Sequence, residues 1–233
     1  MSEGRVTLLV AAEAREFAGL MHNVERSERL SWPVQFARRV EYGGNVVVLV
    51  AHGPGPELAA EAVRVAAERE RITTVVSTGF CGGLDPALAS SDIFVAREVM
   101  GLGPALVPVH PNGRFAVGAL ISSDRVVVTA KEKAELRDTG GDAVEMEAAG
   151  VAKAAERLSL PFYCVRVVTD TAAESLPLDF NRMRDREGRF SRIRIIAAGL
   201  RSPGIIFPKL MKFNESCKSA SSALGEFLAN CRF

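Results

Sequence analysis

Apolar residues along the chain gather into short, nearly continuous runs rich in β-branched side chains: Val6 to Ala12, Val46 to Ala51, Thr73 to Ser77, Asp92 to Ala96 and Phe162 to Val168. Runs of this length without polar alternation predict strands covered on both faces. Between them the pattern changes. Over Glu57 to Glu70 and Glu147 to Leu158, small apolar residues recur at three and four spacing, with Val151, Ala155 and Leu158 on one stripe of the second segment. That spacing predicts helices. Strand and helix in alternation predict a layered α/β fold, and 233 residues fit one domain spanning 1–233.

In open α/β sheets, ligands bind beyond the carboxyl ends of the strands. Here those ends carry Glu13, the turn His52-Gly53-Pro54-Gly55, the glycine-rich stretch Ser77 to Pro86 and the pair Thr169-Asp170. The stretch STGFCGGLDP reads as a loop whose glycines let backbone N–H groups at Gly79, Phe80 and Cys81 approach a ligand. It lacks the spacing of a dinucleotide fingerprint and the lysine of a phosphate loop. His52 either donates to a ligand oxygen or flanks its turn. Asp170 ends an apolar run, where burial raises a carboxyl pKa as a proton donor at neutral pH requires, or it caps a following helix. Glu13 likewise is either a site carboxylate or an acid in an exposed first helical turn.

The stretch AVEMEAAGVAKAAERL joins a short apolar lead to a small-residue helix through Glu145-Met146-Glu147. One glutamate can then face a crevice while alanines pack the helix closely, and Glu147 can accept two hydrogen bonds from a vicinal diol such as a ribose.

Charge and composition narrow the functional classes. Lys and Arg number 29 against 28 Asp and Glu, so no global field steers nucleic acid. The four cysteines form no CxxC pair, and the three histidines are too scattered to suggest a zinc site. Reduced thiols and a cytoplasmic location follow as expectations, with no cofactor or metal. The apolar lead before Glu13 is too short for a signal segment, and no run approaches the ~18 residues of a membrane span.

VEMEAAGVA followed by LPFYCVRVVTD resembles the purine nucleoside phosphorylase and nucleosidase superfamily, in particular the methylthioadenosine/S-adenosylhomocysteine nucleosidases. STGFCGGLDPALASSDIFVA and VAAEAREF resemble further motifs of that superfamily in the same order, so the resemblance covers about residues 6 to 175. It implies a three-layer α/β/α sandwich around a mixed, mostly parallel central sheet, a purine nucleoside as small-molecule partner and a homo-oligomer, a dimer by default. It also implies roles: Asp170 hydrogen-bonds or protonates purine N7, Glu147 holds the ribose hydroxyls, Met146 packs on the sugar, and Glu13 helps activate the attacking water. Glu145, Thr169, Gly79, Phe80 and Cys81 complete the expected binding surface. An acid near the base and a carboxylate near the sugar suit N-glycosidic cleavage, which develops cationic charge on the ribose and negative charge on the leaving base.

Phosphorylases of this kind carry an arginine and a serine where this chain has Ser77 and Phe80, which favours water over phosphate as nucleophile. Phosphorolysis, with Arg15 or Arg38 supplying the charge, is the runner-up; a catalytically silent nucleoside-binding protein is a further alternative. Only Arg97 to Ala119 stands where the nucleosidases have a longer segment shaping the 5′ pocket, and their base-stacking phenylalanine aligns with Val126, beside Val127. From Asn181 to Lys218, ten Lys or Arg face three acids, a local net of +7 interleaved with apolar residues. This basic apolar segment, the start of a C-terminal stretch 181–233, reads either as a peripheral contact with an anionic membrane through 181–218 or as an oligomer contact. With the shortened middle it resembles the hopanoid-associated branch of the superfamily, whose proposed substrate is adenosylhopane.

Overall fold

A computed structural model describes residues 6–110, 113–183 and 203–233. Its strands are β1 (Val6–Ala11), β2 (Arg26–Arg29), β3 (Phe36–Tyr42), β4 (Asn45–Ala51), β5 (Ile72–Gly83), β6 (Ile93–Val99), β7 (Gly103–Pro104), β8 (Ala116–Ser122), β9 (Ala143–Glu145) and β10 (Phe162–Asp170). The helices are α1 (Ala18–Met21), α2 (Pro56–Ala67), α3 (Ala130–Asp138), α4 (Ala148–Arg157) and α5 (Pro203–Asn230), with 3-10 turns at Ala14–Phe17 and Phe180–Met183.

The central strands run parallel, β4 and β5 flanking β1, and β10 lying on the other side of β5. Their side chains alternate between two apolar layers. Leu9, Ala11, Leu49, Val76, Val165 and Val167 face α1 and the far end of α5, where Leu224, Phe227 and Leu228 are buried. Leu8, Val10, Val48, Val50 and Val75 face α2 and α4 through Ala62, Val63, Val151 and Ala155. Helices on both faces explain why these runs are apolar at nearly every position, and each buried Leu or Val contributes roughly 1.5–3 kcal/mol. The result is the expected α/β/α sandwich with a mixed sheet.

Three local expectations are corrected. The glycine-rich stretch is not a loop: β5 continues through Gly83, because β10 pairs beside it from Phe162↔Val75 to Asp170↔Gly82 and β9 pairs at Gly82 and Gly83. The sheet is also not open throughout, since β5, β10, β6, β8 and β9 pair in a closed circuit. Leu158 lies just past α4 and is 44% exposed, because the helix ends at Arg157 before its stripe reaches that residue.

No helix among the described residues is long and apolar enough to cross a membrane. Of the basic segment expected at an anionic surface, residues 184–202 lie outside the described part.

Candidate active site

The first carboxylate comes from the turn after β1. The Glu13 N–H donates to Glu16 Oε2 at 2.7 Å, and the Phe80 N–H of β5 donates to Glu16 Oε1 at 2.8 Å. Glu16 is therefore held inside by two backbone donors and is 4% exposed. Burial pushes its carboxyl above the ordinary range, although both N–H groups favour the ionised form. Glu13 has a different place: its carboxylate pairs with Arg15 at 2.5 Å, and a third of its side chain is exposed. Both reach the same cavity. The buried acid of this turn is thus Glu16, three residues beyond the one the sequence pointed to. Its spacing from Glu13 within AEAREF was the available signal, because a turn that starts at Glu13 brings residue 16 back over it.

The second group forms where β9 enters α4. Glu145 accepts from the Glu147 N–H at 2.8 Å and the Ala148 N–H at 2.9 Å, and pairs with the guanidinium of Arg166. Its oxygens are engaged with the start of α4, where a carboxylate also offsets the helix dipole. Glu147 is then free to reach across to the Gly55 N–H, 2.9 Å from its Oε1. Gly55 has φ of 106° and precedes Pro56 at the first position of α2, which is why the Gly-Pro-Gly turn is needed. A Cβ on Gly150 would lie 1.9 Å from the Pro56 carbonyl oxygen, so α2 and α4 meet through a glycine just beside this contact. His52 serves the turn: its Nδ1 accepts from the Gln35 N–H at 3.3 Å.

Arg166 sits behind these acids, fully buried in β10, with Nη1 donating to the Thr78 carbonyl at 2.8 Å and Nη2 to Ser77 Oγ at 2.6 Å. One guanidinium thus faces Glu145 directly, Glu147 at 3.8 Å, and Glu16 nearby. Burial works against its charge, and the surrounding carboxylates outweigh that and hold it protonated. A single buried cation offsets one carboxylate well. Glu147 is accordingly pushed up to about 8, by burial first and by the Glu145 charge second. Gly79, with φ of 131°, makes the arrangement possible, since a Cβ there would fall 2.5 Å from Glu16 Oε1 and 3.0 Å from Arg166 Nη1. Its role is this clearance behind the acids. An arginine inside an apolar, doubly covered strand has to be paired, so PFYCVRVV already carried the signal for Arg166.

Asp170 is the last residue of β10, and no helix follows it directly. Its Oδ1 lies 2.7 Å from Thr169 Oγ1, which is also 3.2 Å from the Cys81 carbonyl oxygen. Its Oδ2 lies 2.5 Å from Lys133 Nζ, whose side chain is wholly buried and also donates to the Thr171 carbonyl at 2.6 Å. Lys133 had no sequence signal: it is the inward-facing residue of α3, AKEKAELRD, and apolar periodicity counts it as surface. Cys81 is a buried thiol pushed up by burial, which makes it a poor nucleophile.

These groups surround one cavity of about 690 Å³. Glu147, Asp170, Met146, Thr169, Cys81 and Val127 form its buried floor, with Phe80 and Val126 half-buried in the wall. Arg15 lies over the Phe80 ring, 5.7 Å from its centre. One side of the rim is half-buried and apolar, from Leu176, Phe180, Leu210 and Phe213, while exposed Gln35, Arg125 and Asn214 also reach the cavity edge. Asn181 ties the Val126 backbone to this rim with bonds of 2.8 and 2.9 Å, and Phe180 meets Phe213 with ring centres 5.8 Å apart.

A family model described as the phosphorylase superfamily matches residues 10–112 and 105–194, most of the chain and all of the acids above. The chain belongs to the phosphorylase superfamily. Among relatives, the 5′-methylthioadenosine/S-adenosylhomocysteine nucleosidase of Tolumonas auensis is 24% identical over 221 residues, covering 81% of this chain and 96% of that one. The enzyme of the same name from Baumannia cicadellinicola is 31% identical over 160 residues, 55% of this chain and 70% of that one. This phosphorylase-superfamily chain also superposes on solved structures. The Neisseria meningitidis nucleosidase in complex with methylthio-immucillin-A gives a TM-score of 0.70 at 24% identity, covering 97% of both chains. Futalosine hydrolase of Helicobacter pylori gives 0.69 at 15% identity, covering 97% of this chain and 96% of that one.

Proposed function

We propose that the protein is a purine nucleoside N-glycosidase that uses water, acting on an adenine nucleoside. The observation that carries the reading is the convergence of Glu16, Glu147 and Asp170, distant in sequence, on one cavity. In the reaction the C1′–N9 bond breaks, its electron pair leaves with the base, and Asp170 gives a proton to N7. Glu147 and Met146 hold the ribose, and the oxygen of water bonds to C1′ as its proton passes to Glu16. Burial raises the Glu16 carboxyl above the ordinary range, which makes its carboxylate the stronger base for that proton. Relatives named as nucleosidases support the same chemistry.

Hydrolysis is favoured over phosphorolysis by the state of the cations. Arg166 is already bound by Glu145, Ser77 and the Thr78 carbonyl, Arg15 pairs with Glu13, and Arg125, which also lines the cavity, pairs with Glu132. Arg38, on β3, donates to Ser27 Oγ of β2 and is not part of the cavity wall. Purified protein incubated with 5′-substituted adenosines, with and without phosphate, tests this. Free adenine with an unphosphorylated ribose product at the same rate in both is expected; a ribose 1-phosphate product formed only with phosphate overturns it.

The finer reading concerns the 5′ group. Four apolar side chains, Leu176, Phe180, Leu210 and Phe213, line the same cavity as Asp170 and Glu147, which supports an apolar 5′ substituent. We infer a large apolar 5′ substituent, with adenosylhopane the specific candidate. Rates on 5′-alkylthioadenosines should rise with chain length; a preference for unsubstituted adenosine removes this part alone.

A further inference from the structure

We infer that Lys133 is the positioning residue that assigns the transferable proton of Asp170 to Oδ1, the oxygen beside Thr169. This rests on the nucleosidase reading, and it concerns how the acid works rather than whether it does.

An ammonium is a donor only. With Lys133 Nζ 2.5 Å from Oδ2, a proton on Oδ2 would weaken that oxygen as an acceptor and place a second positive hydrogen beside the ammonium, so Oδ2 is held as the accepting oxygen. The acid proton is left to Oδ1. The groups at Oδ1 are arranged for either state: Thr169 Oγ1 has one proton to place and two acceptors in reach, Asp170 Oδ1 at 2.7 Å and the Cys81 carbonyl oxygen at 3.2 Å. When Asp170 is ionised, the hydroxyl donates to Oδ1. When Oδ1 carries a proton, the hydroxyl turns to the carbonyl, and the acid proton is free to pass to N7 of the base. The base takes one proton, and Asp170 becomes a carboxylate beside the Lys133 ammonium.

The surroundings hold this pair in place. Lys133 projects from α3, whose first turn is fixed by Thr129 and Glu132: Thr129 Oγ1 accepts from the Glu132 N–H at 3.2 Å, and Glu132 Oε2 accepts from the Thr129 N–H at 2.9 Å. The Thr171 carbonyl gives the ammonium a second acceptor, so it stays oriented whichever state Asp170 is in. Gly82 clears the space, because a Cβ there would lie 3.2 Å from Asp170 Oδ2 and 3.6 Å from Lys133 Cε. With its side chain sealed from solvent, Lys133 does not face the cavity and has no substrate-binding role to explain its presence.

The experiment compares two substrates that differ in their need for an acid. A 5′-alkylthioadenosine requires N7 protonation; 4-nitrophenyl riboside has a leaving group that departs as an anion. Lys133→Met should lower kcat on the purine substrate by on the order of 10²-fold with little change in KM, and lower turnover of the nitrophenyl riboside at least tenfold less. Lys133→Arg, which keeps a donor-only cation, should recover part of the purine rate. Asp170→Asn should show the same selectivity, and Lys133→Met should add little on top of it. Parallel losses on both substrates would assign Lys133 a merely structural role, and an unchanged purine kcat would likewise overturn the inference. Wild-type protein that releases no adenine would instead remove the nucleosidase reading itself, and this inference with it.

Discussion

The floor and the rim of the cavity are built in opposite ways. On the floor, carboxylates are fixed by backbone N–H groups at strand ends and helix starts: Glu16 by Glu13 and Phe80, Glu147 by Gly55, Glu145 by Glu147 and Ala148. At the rim, apolar side chains from the 180–183 turn and from α5 meet through ring contacts and one tethering asparagine. Backbone donors cannot be changed by substitution at a single side chain, whereas rim side chains can. Chemistry is therefore tied to the fold, and preference for the 5′ group is open to adjustment.

The largest expected effect separates two acids of the same turn. Glu16→Gln should lower kcat for adenine release by on the order of 10²-fold or more, while Glu13→Gln, which removes a partly exposed partner of Arg15, should cost only a few fold. Steady-state kinetics on one substrate checks both, and a larger loss at Glu13 would return the water-activating role to that residue.

Truncating the rim should act on a different parameter. Phe213→Ala and Leu210→Ala should raise KM for a long-chain 5′-alkylthioadenosine by about 5- to 30-fold, the equivalent of roughly 1–2 kcal/mol of lost apolar contact, and leave adenosine nearly unaffected. Equal losses on both nucleosides would show that floor and rim are not separable.

The smallest effect is on stability and concerns the floor alone. Glu147 ionises near 4.5 when exposed and at about 8 in the fold. Between those values the folded chain holds a proton that the unfolded chain has released, so this group lowers stability as pH rises from about 4.5 to 8, and the cost is complete above that. Glu147→Gln keeps an acceptor for the Gly55 N–H without the charge. It should melt at a higher temperature than wild type at pH 8.5, by about 2–4 °C for each kcal/mol recovered, with the gap closing toward pH 5. Calorimetry at the two pH values reads this directly, and a gap that widened at acid pH would reverse the sign.

The strands that are covered on both faces and the two helices with an apolar stripe were legible in the sequence, because burial of that kind leaves a continuous or periodic mark. Strands without such a mark stayed unread: β2, whose four residues are all exposed, β3 and β8, whose burial is mixed, β7, of two residues, and β9, of three. So did α3, whose inward residue is a lysine, and the 28-residue α5, whose basic apolar start looked like a surface segment while Cys217, Ala220, Leu224 and Leu228 were entering the core.

Glu147, Met146 and Asp170 were legible because each sits at a junction where an apolar run stops at a polar group, and Arg166 could have been found by asking what neutralises a cation inside such a run. The choice of Glu16 over Glu13, the engagement of Glu145 with its own helix and the presence of Lys133 behind Asp170 were decided only in three dimensions. Sequence order specifies which groups the chain carries and which stretches must be buried. Which carboxylate is buried against backbone donors, and which cation stands behind it, depends on backbone N–H directions and on the absence of a Cβ at Gly79 and Gly82, and these exist only once the sheet has closed.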